Sequence, residues 1–323
     1  MRVRGNGTCF DAMKPSLSSA RAHRIDVPGV NGVMRAGLLL EWPDGPVKWT
    51  EGSPLPGWSR ESFEEVVRAF RSSAHPAPAA LRAALDSADS TWPRLRSRVS
   101  VNALLTGDFT DMRGKIIRAA GEGCCCAKIK TTDACSAADL VSRLSEAAGG
   151  GVRFRIDPNR AWSLDEALHA AHSLKDLPVD YLEEPLANPA QLLEFMRRSP
   201  VPVALDETLR DLSPADVSLY REAVALVLKP TLAGGFDVCR EFAQRASDMG
   251  IPSVVSASYE SGVGIFHLAR FAASLPLPTA AGLDTYATCF PDVLSTRLNM
   301  KGFVFDVTQP LPDVDRSRLS PLD

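Results

Sequence analysis

The fold is decided by the stretch from residue 152 to residue 185, which reads VRFRIDPNRAWSLDEALHAAHSLKDLPVDYLEEP. It begins with an apolar run that ends in Asp157, and it closes with a second run that ends in Glu183. Between the runs, Ser163 and Glu166 fit a capping box, in which each side chain bonds the backbone N–H of the other residue at a helix start. The stretch therefore predicts a strand, a helix and a second strand, the unit from which parallel sheets are built.

The same pattern recurs from about residue 97 to residue 285. Further helix starts are indicated by Ser136 and by the pairs Asn188-Pro189 and Ser213-Pro214, in which a polar N-cap precedes the first helical residue. Strands alternating with helices over about 190 residues predict a (β/α)8-type barrel. The eight predicted strands are Val99–Leu105, Cys126–Lys130, Val152–Asp157, Tyr181–Glu183, Val203–Asp206, Ala225–Lys229, Ser253–Ser256 and Ala281–Asp284.

The segment before the barrel has a different pattern. Residues 30–52 alternate in strand fashion, and an amphipathic helix with Ser59 as its N-cap is predicted at Phe63–Ser72, followed by a helix at Ala79–Ser87. This combination indicates an α+β module, and residues 1–25 before it are expected to form an extension. The predicted divisions are residues 1–95 for the extension and module, 96–290 for the barrel, and 291–323 for a C-terminal segment that returns toward the module.

Composition excludes several classes of protein. The chain has 323 residues, 45% hydrophobic and 23% charged, which excludes a disordered or fibrous chain. Its net charge of −3 provides no basic footprint for nucleic acid or an anionic membrane, and no apolar run approaches the roughly 20 residues of a membrane span. The seven cysteines, three of them adjacent at Cys124–Cys126, indicate reduced thiols and a cytoplasmic protein rather than a disulfide framework. A monomer is compatible with this composition.

Ionisable residues occur at the ends of five consecutive predicted strands: Lys130, Asp157, Glu183, Asp206 and Lys229. Successive members are 27, 26, 23 and 23 residues apart, which is one strand–helix unit each time. A single charged residue after a strand is commonly a solvated loop residue or a helix cap. Five in register indicate instead that the side chains meet at the carboxyl end of the barrel, where such folds carry their active sites.

Three carboxylates on neighbouring strands would repel one another if nothing lay between them. A hard divalent cation removes this repulsion, and oxygen ligands indicate Mg²⁺, with Mn²⁺ as the alternative ion. Lysines flank the carboxylates from both sides, and Lys128 shares the strand face of Lys130 because side chains two residues apart project together. A metal that stabilises developing negative charge beside a lysine base suits abstraction of a proton α to a carboxylate.

At these residues the chain resembles the enolase superfamily, and within it the muconate-lactonising subgroup. Further segments, among them Gly52-Ser-Pro-Leu-Pro-Gly57, are most similar to the o-succinylbenzoate synthase family of that subgroup. The resemblance implies a (β/α)7β TIM-like barrel with an N-terminal α+β capping domain. The resemblance to the superfamily and its subgroup rests on five motifs: Lys128-Ile-Lys130, Arg155-Ile-Asp157-Pro-Asn159, Tyr181-Leu-Glu183-Glu184-Pro185, Ala204-Leu-Asp206-Glu207 and Leu228-Lys229-Pro230-Thr231.

The resemblance also implies a role for each matching residue. Lys130 would remove the α-proton, Lys229 would stabilise the resulting negative charge, and Lys128 would assist Lys130 through its neighbouring charge. The other roles implied are Mg²⁺ ligation by Asp157, Glu183 and Asp206, orientation of these groups by Asn159, Glu207 and Arg155, and contact with a small-molecule carboxylate substrate by Ser256, Ser258 and Gly282.

The implied reaction is a Mg²⁺-assisted syn dehydration of a succinyl-cyclohexadiene carboxylate, a step of menaquinone biosynthesis. Racemisation of N-succinylamino acids stays open, because Lys130 and Lys229 could serve opposite faces of a substrate carbon. Muconate cycloisomerisation matches the flanking motifs less well. A non-catalytic barrel is the alternative from another class, and the intact set of lysines and carboxylates argues against it.

Overall fold

A computed structural model describes residues 17–89 and 92–322 of the chain. Its centre is a parallel sheet in which seven strands follow one another in chain order. Each strand is short and almost wholly buried, as expected for a sheet covered by helices. The strands are β5 (Ala103–Leu105), β6 (Cys126–Lys130), β7 (Arg153–Asp157), β8 (Val179–Glu183), β9 (Val203–Leu205), β10 (Ala225–Leu228) and β11 (Ser253–Val255).

The predicted eighth strand, Ala281–Asp284, is wrong as a continuous strand. Ala281 forms a parallel bridge to Val101, and Gly282 forms one to Ser256. The Gly282 N–H also donates to the carbonyl of Val255 in β11, and the Ala281 carbonyl accepts from Asn102 just before β5, so this segment closes the barrel between its last and first strands. Asp284 already begins a 3-10 helix that runs to Thr288, so the backbone turns away before a longer ladder can form.

The prediction of one strand at Val99–Leu105 is also wrong. Its first part is a separate strand, β4 (Arg98–Ser100), which pairs with the C-terminal segment rather than with the barrel. Asn102 lies at the break, and only the residues after it continue as β5. The partners of β4 in this small antiparallel sheet are β12 (Met300–Lys301) and β13 (Val304–Asp306).

Helices cover the outside of the barrel, and their starts test the capping predictions. Ser163 and Glu166 form the predicted capping box. Ser136 accepts no cap hydrogen bond, since its backbone is already in the helical region (φ −92°, ψ −4°) and not extended as at Ser163; its hydroxyl donates to Asp133. The segment after Ser213 is a 3-10 helix, Pro214–Tyr220, where an α-helix was expected. The α-helices of this part are α3 (Phe109–Gly121), α4 (Ala137–Ala147), α5 (Leu164–Leu174), α6 (Leu192–Arg198), α7 (Pro230–Ala233), α8 (Phe236–Asp248) and α9 (Gly262–Ser274).

The N-terminal part is an antiparallel sheet packed under two helices. Its strands are β1 (Arg21–Pro28), β2 (Met34–Glu41) and β3 (Trp49–Gly52), with the chain's last strand β14 (Ser320–Pro321) pairing with β1. The helices are α1 (Phe63–Ser72) and α2 (Ala79–Ala88). The expectation that residues 1–25 form an extension is wrong from Arg21 onward, since β1 pairs along its whole length with β2. For residues 1–16, which include Cys9, this expectation lies outside the described residues.

The N-cap predicted for α1 is also wrong by three residues. Ser62 caps this helix, in a capping box with Glu65. Ser59 instead accepts a hydrogen bond from the backbone N–H of Leu55 through its hydroxyl, 2.8 Å away, and closes a turn in the preceding loop.

Strand β2 joins the capping domain to the barrel through its two faces. Leu38 and Leu40 pack against α1 and α2, within a cluster that includes Val66 and Leu81. Leu39 points the other way and packs with Val263 of α9. The alternation of side chains along the strand thus places the cap sheet between its own helices and the barrel. No helix within residues 17–89 and 92–322 is long and apolar enough to cross a membrane.

Candidate active site

Three carboxylates meet at the carboxyl end of the barrel. Asp157 and Glu183 are the last residues of β7 and β8, and Asp206 follows β9 directly. Parallel strands end on the same side of a barrel, so the three side chains are brought together although 49 residues of chain separate the first from the last. All three are nearly inaccessible to solvent, with exposed fractions of 2%, 2% and 5%.

The three lysines of the predicted site contact these carboxylates. Lys128 Nζ lies 2.8 Å from Asp157 Oδ2 and 2.6 Å from Glu183 Oε1. Lys130 Nζ lies 2.7 Å from the same Asp157 oxygen, because both lysines project from one face of β6. Lys229 pairs with Asp206. Lys128 and Lys130 therefore join Asp157 and Glu183 in one network, and Lys229 and Asp206 form a separate pair beside it.

This network gives its carboxylates different affinities for protons. Burial alone would raise the pKa of Asp157, but Lys128 and the other two lysines outweigh it and hold that pKa well below its usual value. Burial and the charge of Asp157 raise the pKa of Glu183 to about 8. Burial would lower the pKa of Lys128, yet the surrounding carboxylates raise it well above its usual value. The site as described therefore holds Lys128 as a cation.

The described residues contain no group of three His, Cys, Asp or Glu side chains arranged to hold a metal ion. The carboxylates make ion pairs with Lys128, Lys130 and Lys229 instead. The donor chemistry nevertheless suits Mg²⁺ or Mn²⁺, since the set consists of buried, hard carboxylate oxygens from three separate strands. Asp157, Glu183 and Asp206 therefore fit a divalent cation by their chemistry.

The predicted orienting residues occupy different positions. Asn159 accepts a hydrogen bond from Lys130 Nζ at 2.7 Å, and its backbone N–H donates to Asp157. Glu207 lies at the edge of the site, where Arg160 Nε is 3.7 Å from it. Arg155 is deeper in the barrel, where it donates to Asn102 Oδ1 at 3.1 Å and to the carbonyl of Ala280 at 2.7 Å. Arg155 thus ties β7 to the closing segment of the barrel.

Glu184 is an orienting residue that was not assigned a role from the sequence. Its carboxylate accepts hydrogen bonds from the backbone N–H groups of Asp206, at 2.8 Å, and Thr208, at 2.9 Å. These bonds fix the backbone that carries Asp206. The sequence does show a second glutamate directly after Glu183. Because Glu184 follows the predicted end of the strand, it was assigned to the loop.

A pocket with a volume of about 290 Å³ opens over this network. The predicted substrate contacts Ser256, Ser258 and Gly282 all line it, and so do Lys128, Lys130 and Lys229. Its remaining wall includes apolar groups that were not predicted from the sequence, from the capping domain as well as the barrel: Val30, Leu55, Trp58, Leu104 and Leu232. The pocket wall therefore combines the three lysines and Asp284 with apolar and neutral polar groups.

A family model described as enolase C-terminal domain-like matches residues 111–310, more than half of the chain. The chain belongs to the enolase superfamily. An o-succinylbenzoate synthase from Citrobacter koseri is 32% identical over 299 residues, covering 83% of this chain and 91% of the relative. A second o-succinylbenzoate synthase, from an Enterobacter species, is 31% identical over 337 residues and covers 95% of this chain and all of the relative.

Solved structures of the superfamily share the fold of this chain. Muconate cycloisomerase from Pseudomonas fluorescens superimposes with a TM-score of 0.79 at 19% identity, covering 93% of this chain and 96% of that one. The L-Ala-D/L-Glu epimerase from Bacillus subtilis gives 0.78 at 18% identity, covering 91% and 96%. The predicted fold class, a (β/α)7β barrel with an α+β capping domain, is confirmed. As a superfamily member with these relatives, the chain is an enzyme of the lyase type that acts on a small-molecule substrate.

Proposed function

We propose that this enzyme is an o-succinylbenzoate synthase, which dehydrates 2-succinyl-6-hydroxy-2,4-cyclohexadiene-1-carboxylate to o-succinylbenzoate in cytoplasmic menaquinone biosynthesis. The observation that carries the proposal is the similarity to curated relatives of that name along most of the chain. The pocket supports it, because its wall combines three lysines with apolar side chains such as Leu55, Trp58 and Leu232. Such a lining suits a carboxylate on an uncharged ring.

Asp157, Glu183 and Asp206 would hold Mg²⁺, or Mn²⁺ in its place, which supplies positive charge for the substrate carboxylate as its α-carbon loses a proton. Asn159 and Glu184 support the ligands through backbone hydrogen bonds. Asn159 bonds Asp157 through its backbone N–H at 2.9 Å, and Glu184 accepts from the backbone N–H of Asp206 at 2.8 Å. Both arrangements hold the ligand residues in place, and Asn159 is itself part of the pocket wall.

Lys130 moves the proton. In its neutral form its amine removes the proton from the α-carbon, and the electrons of that C–H bond form the new ring double bond as the bond between C6 and its hydroxyl breaks. The hydroxyl leaves with a proton returned by Lys130, so that one water is released and the ring becomes aromatic. A single lysine serves both transfers because, in a syn elimination, the proton and the hydroxyl lie on one face of the ring.

Lys229 stabilises the negative charge that develops during this step. Its ammonium lines the pocket and pairs with Asp206, and the charge of Asp206 outweighs burial to raise the pKa of Lys229. A lysine held as a cation is suited to stabilise charge rather than to accept a proton.

A spectrophotometric dehydration assay tests the proposal. Wild-type enzyme with Mg²⁺ is expected to turn over the cyclohexadiene substrate, and Lys130→Ala is expected to lower kcat by about 10³-fold, within the range for loss of a general base. Lys175→Ala, at an exposed position after α5, is the matched control and should retain wild-type activity. Absence of wild-type turnover, or equal activity of Lys130→Ala and wild type, would contradict the proposal.

Racemisation of N-succinylamino acids is the second candidate. It is favoured by the presence of both Lys130 and Lys229 in the pocket wall, on separate strands of the barrel. Polarimetry with an N-succinylamino acid distinguishes the two reactions. Optical rotation that decays with wild type but not with Lys229→Ala, in the absence of any dehydration, would replace the first proposal with this one.

A further inference from the structure

One wall of the pocket is the loop between β11 and α9, residues 256–261. Ser256, Ser258 and Tyr259 of this loop all line the pocket. Tyr259 has a φ of 61°, in the left-handed region that a bulky side chain adopts only when its surroundings hold it there. The loop therefore needs an external support to keep these side chains on the pocket.

The support comes from the capping domain. Arg35 of β2 is buried, with 7% of its surface exposed. Its Nη2 donates to the carbonyls of Ser258, at 3.0 Å, and Tyr259, at 2.9 Å, and its Nη1 donates to the carbonyl of Pro54 at 2.7 Å. One guanidinium thus bonds both carbonyls around the left-handed residue and the cap segment that leads to the pocket.

The barrel holds the same loop from the opposite side. Glu260 Oε2 accepts from the backbone N–H of Ser258 at 2.5 Å, and its Oε1 accepts from Thr231 Oγ1 at 2.7 Å. Both backbone groups of Ser258 are therefore bonded, its N–H to Glu260 and its carbonyl to Arg35. The Ser258 hydroxyl is buried and without a hydrogen-bond partner among the described residues, and Ser258 is one of the residues that line the pocket.

The start of α9 is not available to bind a substrate anion. Glu51 of β3 accepts from Ser261 Oγ at 2.5 Å and from the backbone N–H of Gly264 at 3.0 Å. Asp292 accepts from the backbone N–H of Gly262 at 2.9 Å. Carboxylates of this chain therefore occupy the position where a helix N-terminus would attract a ligand. Recognition along this wall falls to side chains such as the Ser258 hydroxyl.

We propose that Arg35 is a positioning residue for substrate binding: it fixes the Ser258–Tyr259 backbone so that the Ser258 hydroxyl donates to an oxygen of the substrate distant from the carboxylate beside the lysines. A residue of the capping domain thereby positions a substrate-binding side chain that belongs to the barrel. This inference rests on the proposed function in taking the pocket as the substrate site.

Arg35→Met tests the inference, since it keeps the length of the side chain and removes its donors. The hydrogen-exchange rate of the peptide covering residues 256–261 is expected to rise about tenfold or more. KM for the dehydration should rise about tenfold, with kcat within about threefold of wild type, because the lost charged hydrogen bonds act in substrate binding. Arg35→Lys keeps the charge but not the forked donors, so its exchange rate and KM should lie between those of the wild type and Arg35→Met.

Arg96→Met is the matched control. Arg96 also donates to two backbone carbonyls, those of Ala272 at 3.3 Å and Pro276 at 3.0 Å, but it does not line the pocket. It should leave exchange at 256–261 and KM unchanged. Unchanged exchange and KM in Arg35→Met, or a lower kcat with KM unchanged, would overturn the inference. If Arg35→Met does not fold, Arg35→Lys with wild-type KM and exchange overturns it equally.

The exchange measurement needs no substrate, so it separates the inference from the proposed function. A wild type that does not dehydrate the cyclohexadiene substrate refutes the proposed function. The positioning role is still supported if exchange at 256–261 is slow in the wild type and becomes fast in Arg35→Met. Guanidinium added to Arg35→Ala should then make that exchange slow again. Fast exchange already present in the wild type would overturn that role whatever the activity.

Discussion

At the scale of single residues, Lys128 contacts two of the three carboxylates of the site. It is the cation that lies between Asp157 and Glu183, and it is buried. Removing one partner of a buried ion pair leaves uncompensated charge and costs about 3 kcal/mol or more. A divalent cation held by the same carboxylates would restore much of the lost positive charge.

Lys128→Met is therefore expected to become more dependent on divalent metal than the wild type. In EDTA its free energy of unfolding should be about 3 kcal/mol lower than that of the wild type. With Mg²⁺ the difference should shrink, because the ion binds the folded state and stabilises it by mass action. Urea titrations of both proteins in EDTA and in Mg²⁺ measure this. The same difference in both buffers would contradict metal binding at these carboxylates.

Gly282 gives a second prediction at this scale. A Cβ at this position would lie 2.7 Å from Ser256 Oγ and 3.2 Å from Ser256 Cβ. We expect Gly282→Ala to lower the free energy of unfolding by about 1–3 kcal/mol, as for other overpacked sites. Adding Ser256→Ala should recover part of the loss in thermal unfolding, since it removes the closer atom. Gly121→Ala, at a helical position with no atom within 4 Å, is the control and should not destabilise.

Individual residues also show how far the sequence could predict the site. The strand-end spacing placed Asp157, Glu183 and Asp206 together because parallel strands end on one side. The spacing could not predict that Lys128 reaches two carboxylates, since this depends on side-chain geometry across three strands. Nor could it predict that Trp58 lines the pocket or that Arg35 bonds the loop beside it, since both come from the capping domain and depend on how the two domains pack.

At the scale of elements, the two serine caps of neighbouring helices provide a matched pair. Ser163 accepts a hydrogen bond from the backbone N–H of Glu166 at the start of α5. Ser136 stands before α4 without such a bond. Ser163→Ala should therefore lower the free energy of unfolding by about 1 kcal/mol, and Ser136→Ala by clearly less. Urea unfolding of both variants measures the difference. Equal losses would show that the capping hydrogen bond is not the cause.

These caps also explain why some elements could be predicted and others could not. Ser163 has Glu166 three residues later, so both halves of the capping box are visible in the sequence. Ser136 has a helical backbone and its hydroxyl donates to Asp133, and Ser59 is used by a turn in the preceding loop. The eighth strand failed for a different reason. Its two bridges go to Ser256, just after β11, and to Val101, which lies before β5 and 180 residues away in the sequence.

At the scale of the whole molecule, the capping domain and the barrel share a buried junction around His267. This residue of α9 donates from Nε2 to the carbonyl of Trp49 in β3, 2.9 Å away. Its Nδ1 is buried without a hydrogen-bond partner among the described residues. A second proton would have to sit on that nitrogen, so burial lowers the pKa of His267 to about 4 from its usual 6.5.

The stability of the junction should consequently depend on pH. The unfolded chain binds a proton at His267 below about pH 6.5, whereas the folded protein does not bind it until about pH 4. The free energy of unfolding therefore decreases as the pH falls from about 6.5 to about 4. The full loss amounts to about 3 kcal/mol. Glu260, whose pKa is raised by burial, changes stability in the opposite direction, and only a comparison of variants isolates the histidine.

His267→Gln keeps a donor for the Trp49 carbonyl and removes the titration. Urea unfolding at pH 7.5 and pH 5 should show a smaller loss of stability on acidification for this variant than for the wild type, while Glu260 contributes equally to both. His169→Gln, at an exposed position of α5, should behave as the wild type does. An identical pH dependence for His267→Gln and the wild type would show that the histidine is protonated in the folded protein, and the junction between the domains would then have to accommodate its charge.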